Sequence, residues 1–186
     1  MIEYKSESAK RESEGGAVIT KDKMLNLYRR VYSMPKFVLT LKVLGALSVF
    51  YVAGVFLYGI SVLIYYREYA YALCLTSVAA IPFIAVSLMR TLINSPRPYE
   101  VFDVPELEYL KMCKKSGKSF PSRHVFSAFL IGVLWLPYSV PFGITAIILG
   151  AFMAVERVLL GIHFIKDVLV GAVIGVLSGT IGVLIL

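Results

Sequence analysis

The chain has little charge for its length: charged residues make up 17% of its 186 residues, against 58% apolar, and mean hydropathy is +0.77. About a quarter of an ordinary soluble domain is charged, so the composition excludes that class. The deficit is concentrated, because residues 43–66, 69–89, 125–155 and 168–186 contain no charged side chain at all. Cysteine is scarce too. Cys74 and Cys113 are the two present, which excludes a disulfide framework and a thiolate metal site. Histidine is as rare, limited to His124 and His163. The first 24 residues lack the apolar core of a signal peptide and alternate charged with polar residues, which reads as a disordered polar tail.

What is present is hydrocarbon in lengths that suit a bilayer. A spanning helix needs roughly 20 mostly apolar residues, so each uncharged run spans at least once. The run at 125–155 is too long for one helix and carries Pro137 and Pro141 about Tyr138 and Ser139, a turn signal. The expectation is an all-α transmembrane helix bundle of about five spans, since lipid leaves no other partner for the backbone. Upstream, Leu25, Tyr28, Val31 and Tyr32 recur at helical spacing among Lys23, Arg29 and Arg30. This predicts an amphipathic surface helix over 25–36, after the tail at 1–24 and before a membrane domain at 37–186; a solvated charged leader is the competing reading.

Ionisable residues at span ends are costly and are functional candidates. Three clusters qualify. Arg90 and Arg97 flank the end of the second run, with planar guanidiniums suited to phosphate; anchoring the helix in head groups is the competing reading. Ser122 and His124, after Pro121, stand before the third run. A helix start there offers a hydroxyl and free N–H groups to an anion, or Ser122 simply caps the helix. In the third cluster, Arg157 precedes His163 and Asp167, which are four residues apart and share a helical face. Asp167 then holds one ring nitrogen and leaves the other as a nucleophile, unless the pair is structural. Gly161 offers the break that turns Arg157 back toward His163. Together the clusters assemble a metal-free phosphoryl-transfer site. One histidine attacks, the other protonates the leaving oxygen, and arginines stabilise the phosphoryl oxygens.

These clusters resemble the three motifs of the type 2 phosphatidic-acid phosphatase superfamily. The family pattern is Lys, six residues, Arg-Pro; then Pro-Ser-Gly-His; then Ser-Arg, five residues, His, three residues, Asp. Here it reads Arg90, six residues, Arg97-Pro98; then Pro121-Ser122-Arg123-His124; then Glu156-Arg157, five residues, His163, three residues, Asp167. The resemblance covers roughly residues 40–186. It implies that His163 is the nucleophile, oriented by Asp167, and that His124 is general acid and then base. It implies phosphate binding by Arg90, Arg97, Ser122 and Arg157, with no metal and no cofactor. Three positions depart from the pattern. Arg90 stands for lysine. Arg123 stands for glycine, which keeps a backbone N–H and adds a cation, so Arg123 joins the phosphate-binding candidates. Glu156 stands for serine, and is expected to point away from phosphate or to pair with an arginine.

The function implied is a lipid phosphatase acting on a phosphomonoester, with phosphatidylglycerol phosphate or phosphatidic acid favoured. Undecaprenyl diphosphate phosphatase, a lipid phosphotransferase and a non-enzymatic lipid-binding protein are the alternatives. The expected partners are the bilayer and a lipid phosphate, with no nucleic acid. Positive charge sets the expected side of the membrane. Of the Lys and Arg residues only Arg67 falls on the face opposite the motifs, whereas Lys111, Lys114, Lys115, Lys118 and Lys166 lie with them. That predicts a cytoplasmic active site. Family members often have six spans and an outward site, and loss of the first span would turn the site inward. Finally, Gly171, Gly175 and Gly179 repeat every four residues, a spacing for close helix packing that suits a neighbour within the chain.

Overall fold

The computed structural model describes residues 21–102, 105–113 and 116–186, and the regular elements among them are all helices. In chain order they are α1 (Lys21–Tyr32), α2 (Pro35–Tyr65), α3 (Tyr69–Ile93), α4 (Pro98–Val101), α5 (Pro105–Cys113), α6 (Arg123–Trp135), α7 (Val140–Leu159) and α8 (Ile165–Ile185). The expected polar tail lies outside the described residues as far as position 20. Its last positions, from Lys21, already belong to α1.

The helical repeat of apolar residues upstream of the membrane does form a helix, with Asp22 in its first turn and Arg29 and Arg30 in its last, as the helix dipole favours. It ends at Tyr32, earlier than position 36, because Pro35 has no N–H to continue it and instead opens α2 at its first turn. The apolar face of α1 is covered by protein. Met24, Tyr28 and Val31 are buried, Tyr28 lies with Tyr99, Phe102, Leu107 and Leu110, and the Tyr32 hydroxyl donates to the Leu160 carbonyl at 3.1 Å. Burial of such side chains stabilises by roughly 1.5–3 kcal/mol each. This small core ties α1, α4 and α5 to the end of α7.

Four helices, beginning at Pro35, Tyr69, Val140 and Ile165, are long and apolar enough to cross a membrane. Their exposed faces carry Phe50, Leu57, Leu73, Ile84 and Leu169, as lipid contact requires. At 31 residues α2 is about 46 Å long, more than a hydrocarbon core of about 30 Å. The surplus is at its start, where Lys36 and Lys42 are exposed. The uncharged run at 125–155 splits at Pro137 into α6 and α7, giving the fifth apolar helix. At 13 residues, α6 is the short one.

The shortness of α6 goes with its position. It is enclosed, with Val125, Phe126, Ala128, Leu130 and Leu134 all buried. Apolar contact alone does not drive helices together in lipid, so close approach of small residues matters. The glycine repeat of α8 supplies it within the chain. A Cβ at Gly171 would stand 2.7 Å from the Ser122 carbonyl oxygen, one at Gly175 2.5 Å from that of Phe126, and one at Gly179 2.7 Å from Val133 Cβ. This packing lays the start of α6 against the start of α8.

Candidate active site

All three motif clusters meet at one end of the bundle, where α3 and α7 end and α6 and α8 begin. Asn94, in the left-handed region at φ 44°, closes α3 and turns the chain away just after Arg90. Arg90 is buried. Its Nη1 donates to the Pro121 carbonyl, with the Ser119 carbonyl at 3.5 Å, so the second motif is tied to the first. Arg97 reaches across the same end, donating from Nε to the Gly117 carbonyl at 3.0 Å and from Nη1 to the Ile162 carbonyl at 3.3 Å. Guanidinium carries five N–H donors, so these bonds position both side chains and leave further donors for an anion. Glu100 braces the loop, accepting from the Arg97 N–H at 2.7 Å and from the Gly117 N–H at 2.9 Å.

Ser122 stands at the N-cap of α6, but its side chain makes no capping bond. Its N–H donates to the Asp167 carbonyl at 2.9 Å, and its buried Oγ has no hydrogen-bond partner among the described residues. A buried hydroxyl without a partner is costly, which removes the simple capping reading and fits a ligand contact.

Gly161, at φ 67°, lets the chain turn between α7 and α8. The N–H groups of Ile162 and His163 both fold back onto the Arg157 carbonyl, at 2.9 and 3.2 Å, so Arg157 and His163 come together across six positions. Glu156 behaves as its chemistry demands. Its buried carboxylate lies against α2, where a Cβ at Gly45 would stand 2.9 Å from it, and Oε2 is 3.1 Å from Arg157 Nε.

The imidazole of His163 is buried, with Nδ1 at 3.5 Å from Asp167 Oδ2 and 3.3 Å from Ser119 Oγ. Ser119 Oγ donates to the same carboxylate oxygen, which also accepts the Phe164 N–H at 3.0 Å. With Nδ1 facing this chain, Nε2 is the nitrogen left to react. Burial is the main influence on the ring and holds its pKa below the ordinary 6.5. The Asp167 bond pulls upward, and the Arg97 and Arg90 charges push further down. His124 is exposed beside a cavity between helices, within electrostatic reach of Arg157, His163, Arg123 and Arg90.

Arg90, Arg97, Ser122, His124, Arg157, His163 and Asp167 therefore share one end of the fold. Arg123 diverges from them. Its side chain is exposed and turns along α3, with Nη1 3.4 Å from Ser87 Oγ and the guanidinium 5.7 Å over the Phe83 ring. Sequence reasoning gave no role to Ser119, although it opens the second cluster, and missed Glu100. Ser119 stands next to the second motif, but no local signal ties it to a carboxylate 48 residues away.

A sequence model described as the PAP2 superfamily matches residues 67–186. Among solved structures, the crystal structure of Aquifex aeolicus LpxE superposes with a TM-score of 0.62 at 23% identity, over 85% of this chain and 93% of that one. That of a transmembrane PAP2 type phosphatidylglycerolphosphate phosphatase from Bacillus subtilis superposes with a TM-score of 0.65 at 19% identity, over 87% and 83%. No curated protein matches the chain.

Proposed function

Because the chain belongs to the PAP2 superfamily of phosphatases, we propose that it hydrolyses a phosphomonoester on a membrane lipid, through a phosphohistidine formed on His163. The observation that carries this reading is the Ser119–Asp167–His163 chain, which occupies Nδ1 and leaves Nε2 to attack. In the first step Nε2 forms a bond to phosphorus as the phosphorus–oxygen bond to the lipid breaks. His124 gives its proton to the departing alkoxide. In the second step neutral His124 takes a proton from water, the hydroxide attacks phosphorus, and the P–N bond breaks to release inorganic phosphate.

The N–H groups left over on Arg90 and Arg97, the Arg157 guanidinium and the Ser122 hydroxyl hold the phosphoryl oxygens. Their charge counters what develops in the transition state. The substrate phosphate, with about two negative charges, offsets the cations around His124. Glu156 is kept off the phosphate by its place against Gly45.

We place the site on the cytoplasmic face, on the bias of Lys and Arg toward the motif-bearing end. A phosphomonoester lipid of the inner leaflet is then the substrate class.

The test is inorganic phosphate release by the purified protein in detergent with EDTA, from phosphatidylglycerol phosphate, phosphatidic acid and undecaprenyl diphosphate. Release that survives EDTA and vanishes in His163→Ala is expected. Release by the mutant, or none by the folded wild type from any lipid, overturns the reading.

A further inference from the structure

Arg123 is a cation that the phosphate-site geometry does not use. Its guanidinium lies between Ser87 and Phe83, three and seven residues before Arg90 on α3. At 1.5 Å per residue those positions are about 5 and 10 Å further into the bundle than Arg90. Arg123 nevertheless remains within electrostatic reach of Arg90 and His124. It thus lies beside the phosphate cluster, displaced toward the hydrocarbon.

Below it opens a cavity of about 480 Å³ between α2, α3, α6 and α7, which His124 and Arg123 also line. Its walls are apolar, including Val52, Phe56, Ala79, Phe83 and Ile131. Such a cavity suits a hydrocarbon chain. Along the bundle the order is therefore phosphate cluster, then Arg123, then apolar cavity. Among the described residues the side-chain hydrogen-bond partner of Arg123 is Ser87, at 3.4 Å, so most of its planar fork is left for an anion.

We propose that Arg123 binds a second phosphate of the substrate, one lying between its hydrocarbon and the phosphate that is removed. This rests on the lipid phosphatase reading and names the group the substrate carries beside the phosphate removed, whether that phosphate is joined as a monoester or, in a diphosphate, as an anhydride. Phosphatidic acid has no such group, because its monoester is joined directly to the acylated glycerol. Two lipid chemistries supply it: a glycerol-bridged phosphodiester, as in phosphatidylglycerol phosphate, and a polyprenyl diphosphate. In either, the charge order of the lipid matches the order of groups along the cavity.

The experiment compares wild type, Arg123→Gln and Arg123→Lys as full-length protein in mixed micelles on those three lipids. The ratio of kcat/KM on a two-phosphate lipid to that on phosphatidic acid is expected to fall about tenfold in Arg123→Gln, through KM, with partial retention in Arg123→Lys. The lipid whose ratio falls identifies the source of the second phosphate. Equal losses on all three lipids, as from a cation merely anchored among head groups, overturn the proposal, as does no loss. A binding measurement is independent of turnover. Phosphatidylglycerol, which keeps only the diester, is titrated into folded His163→Ala with and without Arg123→Gln, with diacylglycerol as reference, and undecaprenyl monophosphate is run as the second arm. A tenfold weaker Kd for either anionic lipid supports the proposal, and an unchanged Kd for both overturns it even if the phosphatase reading fails.

Discussion

The Ser119 hydroxyl donates to Asp167 Oδ2 and stands 3.3 Å from His163 Nδ1, so one buried serine touches both members of the His–Asp pair. A hydrogen bond to a charged group is worth about 1.5–3 kcal/mol. Ser119→Ala is therefore expected to lower kcat by roughly 10- to 100-fold with little change in KM. The Asp167 carboxylate, losing a donor, should attract the His163 proton more strongly and move the acidic limb of the pH profile upward. A KM effect with unchanged kcat would show that Ser119 does not position the nucleophile.

Nucleophilic attack requires neutral His163. Since burial depresses its pKa below 6.5, the acidic limb of phosphohistidine formation should fall below pH 6.5, while the alkaline limb reports loss of the proton that His124 gives to the leaving group. Rapid-quench trapping of the phosphoenzyme across pH measures this, and an acidic-limb midpoint above 6.5 would contradict the environment described. Stability follows the same sign. The unfolded imidazole takes up a proton near 6.5 that the folded one resists, so the fold should lose stability as pH drops below that value.

Glycines test the packing that sets the site. At Gly175 a Cβ would lie 2.5 Å from the Phe126 carbonyl oxygen, which is backbone and cannot yield without moving α6. Gly175→Ala is expected to destabilise by about 1–3 kcal/mol, lowering Tm and activity together. Gly54 has nothing within 4 Å of a built Cβ. Gly54→Ala should leave Tm unchanged or raise it, because alanine is favoured by about 1 kcal/mol in a helix interior. Matching shifts at the two positions would sink the packing account.

Topology is open to chemical labelling. Met112 on α5 is 77% exposed at the motif-bearing end. With Cys74 and Cys113 replaced by serine, Met112→Cys should resist an impermeant thiol reagent on intact cells and react after permeabilisation. Ready labelling from outside would reverse the orientation.

The membrane helices were legible in the chain, and the candidate site residues could be singled out from it, because both readings depend on local rules. Lipid satisfies no backbone group, so each long uncharged run had to be helical, and the prolines at 137 and 141 marked where one run became two helices. Motif spacing singled out Arg90, Arg97, Ser122, His124, Arg157, His163 and Asp167, and the fold collects them at one end. Other features depended on which surfaces meet. The stripe of α1 reads as a membrane-surface face, yet Tyr28 is buried against α4 and α5, because an apolar stripe does not specify what covers it. Ser119 joined the His–Asp pair only when the glycines of α8 let α6 approach. The direction of Arg123 was set by α3, which offers its guanidinium Ser87 and Phe83. Sequence determines helices and chemistry because hydrophobic runs and residue types act over a few positions. The aim of each side chain is decided by neighbours tens of residues away, and only tertiary packing brings those into reach.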